Sequence, residues 1–136
     1  MRTAPIATSS TLAAIAVLHV GWACGASFPF HDRMRLADSV AGSSATPGRR
    51  GSLAVAGLLA CAAGLVADVL PLGATPRRAG VLGVAFVLAG RGAVGVAGRT
   101  SSLVPWTPSA HFNELDKRYY GPLCLLLASG ALLSVR

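Results

Sequence analysis

Charge is what this sequence has least of. Only 12% of its 136 residues are Asp, Glu, Lys or Arg, and just five are acidic, where a soluble domain carries about 25%. That composition excludes an ordinary water-soluble globule. Aromatic residues are also scarce, at 6%, so the interior is not built on large rings, and Gly and Ala must bring helices together by close backbone approach. The three cysteines, Cys24, Cys61 and Cys124, are odd in number and form no CxxC pair, which argues against a disulfide framework or a zinc site and reads as small apolar filler. A nucleotide-binding glycine loop, an HxxxH metal pair and a serine nucleophile motif are all missing. No cofactor and no metal are expected.

What the chain does have is apolar sequence: 53% of residues and a mean hydropathy of +0.60. It reads as a single membrane domain over residues 1–136, all-α, a polytopic protein with four transmembrane helices at about 7–26, 52–70, 79–98 and 119–135. They are expected to form an antiparallel bundle with short interfacial helices in the first and third connections. The stretch Ala79 to Gly98 organises the rest, because its twenty residues suffice to cross a bilayer and yet carry Arg91 in the second half. A cation at that depth needs headgroups, water or a partner on a neighbouring helix.

The first apolar run, with His19 and Trp22 sharing a face, resembles a cleavable signal only superficially, since Cys24-Gly25-Ala26 is a poor cleavage site. It is expected to be retained. Asp32 caps a short amphipathic helix carrying Met34, Ala37 and Ala41, and SSATPGRRG follows as a flexible turn. In the second run Ala56, Ala60 and Gly64 form a small-residue stripe, and Pro71 ends the helix. Asp68 is expected at the interface beside Arg77 or Arg78. On the third run Ala89, Ala93 and Ala97 make one stripe, and Arg91, Gly95 and Gly98 another. Pro105-Trp106-Thr107-Pro108 reads as a turn with an interfacial aromatic, and beyond it a helix starting near Ser109 lines Phe112, Asp116 and Tyr120 on one face. Gly121-Pro122 is expected to interrupt it before a short fourth crossing.

At about 1.5 Å per residue, Arg91 lies roughly 10 Å below the Gly98 end of its helix, and His19 lies at about the same depth below the same face. Asp116, Tyr120 and Cys124 enter from that face too, whereas Asp68 belongs to the opposite one. His19, Trp22, Arg91, Asp116, Tyr120 and Cys124 are therefore candidates to converge in one half of the bundle. They form either a clamp that fixes helix order or a polar cavity for a small ligand, a lipid headgroup or a proton.

These same residues carry a resemblance. Phe112-x3-Asp116-x3-Tyr120-x-Pro122-Leu123-Cys124, with His19-x2-Trp22-Ala23, Arg91-x3-Gly95, Phe28-Pro29 and the Leu36-Ala37 to Val40-Ala41-Gly42 stretch, resembles a bacterial family of small four-helix integral membrane proteins known only as a domain of unknown function. The resemblance implies the topology and no activity, cofactor or substrate. In that family an acid often follows the Gly of the third helix, where this chain has Val96, a departure that either puts more weight on Asp116 or argues against an acid-dependent chemistry.

The expected function is a structural or accessory membrane protein, or a binder of a small ligand or lipid. The alternative is a membrane enzyme acting on a lipid-like or quinone-like substrate, with His19 or Asp116 as acid or base and Tyr120 and Arg91 orienting an oxygen. A transporter or proton path would need oligomerisation. The expected partner is the lipid bilayer of a bacterial plasma membrane, with a homo-oligomer or larger complex built through the Gly/Ala faces. A net charge of +7 does not point to nucleic acid, because the Arg residues fall almost entirely between the apolar runs. Seven basic residues (Arg33, Arg35, Arg49, Arg50, Arg99, Lys117, Arg118) lie on the face of the first and third connections, against four (Arg2, Arg77, Arg78, Arg136) on the other. That bias places the polar face in the cytoplasm and both termini outside.

Overall fold

The computed structural model describes residues 3–46 and 48–135. Arg2 and Arg136, from the basic-residue count, and Pro47, in the flexible turn, lie outside the described residues. The described residues are all-α: α1 (Thr3–Ala23), α2 (Arg33–Ala41), α3 (Arg49–Ala67), α4 (Ala74–Val96), a single 3-10 turn (Thr100–Ser102), α5 (Ala110–Leu115), a π-helical segment (Asp116–Tyr120) and α6 (Gly121–Leu133). Three of these, α1, α3 and α4, are long and apolar enough to cross a membrane. Their outward faces carry large apolar side chains: Phe86 is 80% exposed, Leu58 73% and Val17 70%, surface that lipid covers and water would not.

Helices α1 and α4 start earlier than their apolar patterns, and for one reason. Pro5 and Pro76 stand in the first helical turns, where the backbone N–H groups have no intrahelical acceptor and a residue without an N–H costs nothing. Arg77 and Arg78 consequently sit on α4 rather than in the loop before it. The ends of helix α2 follow the sequence pattern, but its buried face is Leu36, Ala37 and Ser39, and Met34, expected on the apolar face, is exposed. Its N-cap, Asp32, accepts from the Arg35 N–H at 2.8 Å, and its C-cap, Gly42, adopts φ 63°, the left-handed conformation that glycine adopts without strain. Asp68 ends α3, also left-handed at φ 60°. Its carboxylate lies 2.8 Å from Arg77 Nε, close but out of line with the N–H, so the contact is an ion pair without a directed hydrogen bond.

Packing pairs α1 with α3 and α4 with α6, and α1 meets α6 across the middle. One buried cluster joins all four: Leu12 from α1, Ala62, Ala63 and Val66 from α3, Val81 and Ala85 from α4, Leu127 and Ala131 from α6. The stripes differ in detail from the sequence reading. On α3 the buried residues are Ser52, Ala56, Ala62, Ala63, Gly64 and Val66, so Ala56 and Gly64 of the expected stripe are inside and Ala60 is exposed; on α4 they are Val81, Ala85, Gly92 and Gly95, with Ala93 and Ala97 exposed. A spacing of strict fours drifts around a 3.6-residue helix. Alternating steps of three and four stay on the packed face. At Gly130 a methyl group would overlap the Thr8 hydroxyl, so α1 and α6 touch there through a missing side chain.

Candidate functional site

The site begins where α4 and α6 come closest. Pro122 has no N–H to give the carbonyl four residues back, and the helix absorbs this by widening rather than breaking. Through Asp116–Tyr120 the backbone takes a π turn, closed by the Gly121 N–H donating to Asp116 O. Gly121-Pro122 therefore does not interrupt the helix, as the sequence suggested; helical backbone continues from Ala110 to Leu133. Glycines make the contact. A Cβ on Gly121 would lie 2.8 Å from Val96 N, one on Gly92 2.8 Å from Gly121 O, and one on Gly95 2.9 Å from Asp116 Oδ1.

That approach sets Asp116 against Arg91. Arg91 Nη2 donates to Asp116 Oδ1 at 2.7 Å and Nη1 to Oδ2 at 3.2 Å, a bidentate pair of the geometry that suits guanidinium and carboxylate. Thr100, from the 3-10 turn after α4, donates its hydroxyl to Asp116 Oδ2. The carboxylate is thus buried, with 1% of its side chain exposed, beneath a guanidinium that is 31% exposed. Burying a carboxylate costs several kcal/mol unless it is paired and hydrogen-bonded, and three donors satisfy that requirement.

Helix α2 roofs this arrangement. Its C-terminal carbonyls, which lack helical partners, are taken by the third connection: Tyr120 OH donates to Ser39 O (2.9 Å), Trp106 Nε1 to Ala41 O (2.9 Å) and the Ser109 N–H to Gly42 O (3.0 Å). Gly42 abuts Pro108 and Phe112 so closely that a Cβ would lie 2.9 Å from each. Between α2, this connection and α4 is a cavity of about 320 Å³, lined by Val40, Ala41, Leu103, Val104, Trp106 and Phe112, with Arg91 and Thr100 at one wall. A larger groove of about 510 Å³ on the other side of α2 is lined by Asp32, Arg35 and Asp38 among others and does not reach Arg91.

A family model described as "Protein of unknown function (DUF3995)" matches residues 12–131. The chain belongs to this family. No curated protein and no solved structure matches it. The matched span of the DUF3995 domain runs from within α1 to within α6 and contains every residue of the site.

Not all six sequence candidates meet in this DUF3995 chain. Arg91 and Asp116 are bonded to one another. Tyr120 lies beside Phe112, with ring centroids 6.1 Å apart, and holds α2. Cys124 is half-buried one turn beyond the π segment, and all three cysteines are free. His19 and Trp22 pair with each other instead, centroids 4.6 Å apart. His19 Nδ1 bonds to Ile15 O of its own helix and Trp22 Nε1 donates to Phe28 O; among the described residues neither bonds to Arg91 or Asp116. Sequence reasoning missed Thr100 altogether and read Trp106 as an interfacial ring. A hydroxyl four residues past the helix end and an indole sixty-five residues from its acceptor leave no periodic signal.

Proposed function

We propose that this protein is a multi-pass membrane protein with four antiparallel crossings whose polar half binds a small ligand. The fourth crossing is α6 with the π segment before it. Asp116 to Leu133 is eighteen residues, about 27 Å of helix, close to the roughly 30 Å hydrocarbon core. Leu126 (70% exposed), Leu132 and Leu133 continue the apolar outer surface of the other three. Opposite direction for α4 and α6 is supported by contacts at both ends: Arg77, near the start of α4, donates to Ser134 O after α6 (3.1 Å), while Arg91 meets Asp116 ahead of it. The basic excess on the connection face favours a cytoplasmic position for the site.

The observation that carries the ligand reading is the cavity: apolar walls with one partly exposed guanidinium, the combination of apolar surface and few polar groups that small-molecule sites share. The acid–base alternative has less support. Asp116 already accepts from Arg91 and Thr100, and His19 stands apart from both. Native mass spectrometry of the detergent-extracted protein tests the proposal. Wild type should retain a small molecule that Arg91→Met and the cavity-filling Val104→Phe both lose. A wild-type protein that is ligand-free after mild extraction and in lipid nanodiscs alike would leave only a helix clamp.

A further inference from the structure

We propose that the cavity beside Arg91 takes an oxyanion attached to an apolar chain, the chemistry shared by a fatty-acid carboxylate and a lipid phosphate. The inference rests on the ligand-site reading above and adds the class of ligand. It starts from a donor count. A guanidinium has five N–H groups; two of Arg91's are spent on Asp116, and among the described residues no acceptor takes the other three. The other side-chain donors of the lining are occupied, the Trp106 indole by Ala41 O and the Thr100 hydroxyl by Asp116. Among its side chains the cavity therefore presents free donors from Arg91 alone, and a ligand that meets them must bring acceptors.

Among the described residues no carboxylate lines the cavity, since Asp116 is 1% exposed and sits behind the guanidinium; a cationic head would find no counter-charge. The surrounding face is positive. Arg91 and the seven basic residues of the connections are set against only Asp32, Asp38, Glu114 and Asp116, an excess that raises the local concentration of anions. The planar fork of an arginine matches two oxygens of a carboxylate or phosphate. The other walls are apolar, and about 320 Å³ is at the small end of ligand sites, room for a head and the first carbons of a chain. Leu103 and Trp106, exposed by 55% and 41%, continue this apolar lining outward, where the rest of the chain would lie.

Trp106 provides the readout. In a Trp22→Phe background it is the sole tryptophan, and its emission can be followed in non-ionic detergent during titration with dodecanoate, dodecyl phosphate, inorganic phosphate, dodecanol and dodecyltrimethylammonium. The two acyl or alkyl anions should give saturable changes, with the cation and the alcohol inert. Inorganic phosphate should bind at least about tenfold more weakly for want of the chain. Val40→Phe, which fills the cavity without touching the Arg91–Asp116 pair, should weaken dodecanoate by about tenfold while leaving the melting of the ligand-free protein unchanged. Arg91→Lys should weaken it by a similar factor, the worth of a charge-assisted hydrogen bond. Dodecanol binding as tightly as dodecanoate would overturn the oxyanion assignment and leave a ligand site for neutral amphiphiles. Inorganic phosphate binding as tightly as dodecyl phosphate would overturn the chain requirement. Failure of every probe to saturate would remove the ligand site itself.

Discussion

Asp116 joins the segment before α6 to α4 and to the turn after it, since it accepts from Arg91 and Thr100 while almost wholly withdrawn from solvent. Removing one partner of a buried pair is costly because the other charge remains. Arg91→Met is expected to destabilise the protein by about 3 kcal/mol, the low end for a buried pair, since Arg91 is itself about a third exposed. The double variant Arg91→Met/Asp116→Asn should recover most of that loss in detergent thermal melts; additive losses would show that the two charges are not coupled. Thr100→Val, which takes one donor from a buried carboxylate, should cost about 1–3 kcal/mol, and Thr100→Ser much less. The Arg91–Asp116 contact is legible in the sequence in part, because Arg91 lies in the half of the membrane whose face Asp116 enters from. Thr100 is not. It follows the last turn of α4, and only the fold of the chain around it determines what its hydroxyl meets.

At the level of elements, two junctions define the molecule. The first is the glycine crossing of α4 and α6. Gly121→Ala would drive a methyl into the backbone at Val96 N, and since backbone cannot swing aside as a side chain does, the helices must separate. Gly83→Ala, on the same α4 but with nothing within 4 Å, should instead gain up to about 1 kcal/mol from helix propensity. Opposite signs in the two melts would confirm the crossing; equal small gains would contradict it. The second junction is the capping of α2 by the third connection. Tyr120→Phe leaves Ser39 O without its donor, and hydrogen exchange over Arg33–Ala41 should quicken by about five- to tenfold, the equivalent of roughly 1 kcal/mol. Unchanged exchange would mean α2 is held by packing alone. Helix α2 itself is readable from Asp32 and its apolar spacing. Its docking is not, since Tyr120 and Trp106 lie eighty-one and sixty-five residues from their acceptors. His19 and Trp22 show the limit of depth arithmetic in the other direction: equal depth does not say which neighbour a side chain turns toward, and these two turn to each other and to the first connection.

For the whole molecule, the amount of apolar sequence and its division into runs lead directly to helices long enough to cross a bilayer, and α1, α3 and α4 have that length and composition. What composition does not give is the helix ends: α1, α3 and α4 begin at Thr3, Arg49 and Ala74, ahead of their apolar runs, with Pro5 and Pro76 inside first turns. The proposed arrangement has a direct test in the cysteines. Cys24 is exposed just past α1, on the face of the first and third connections, and Cys61 is exposed within α3. With that face in the cytoplasm, a membrane-impermeant maleimide should label Cys24 only after cells are opened, and Cys61 under neither condition. Labelling of Cys24 in intact cells would invert the orientation.

The Arg91–Asp116 pair also bears on how the protein is made. Twenty-five residues separate the two, so on synthesis from the N-terminus α4 reaches the membrane before its counter-ion exists. An arginine deep in a helix disfavours insertion by about 2.5–3.5 kcal/mol. In the proposed topology α4 carries that cost until the last segment arrives, and its own apolar residues have to offset it. In that topology the ionic pair is a late gain, formed only once α6 and the segment before it have been made.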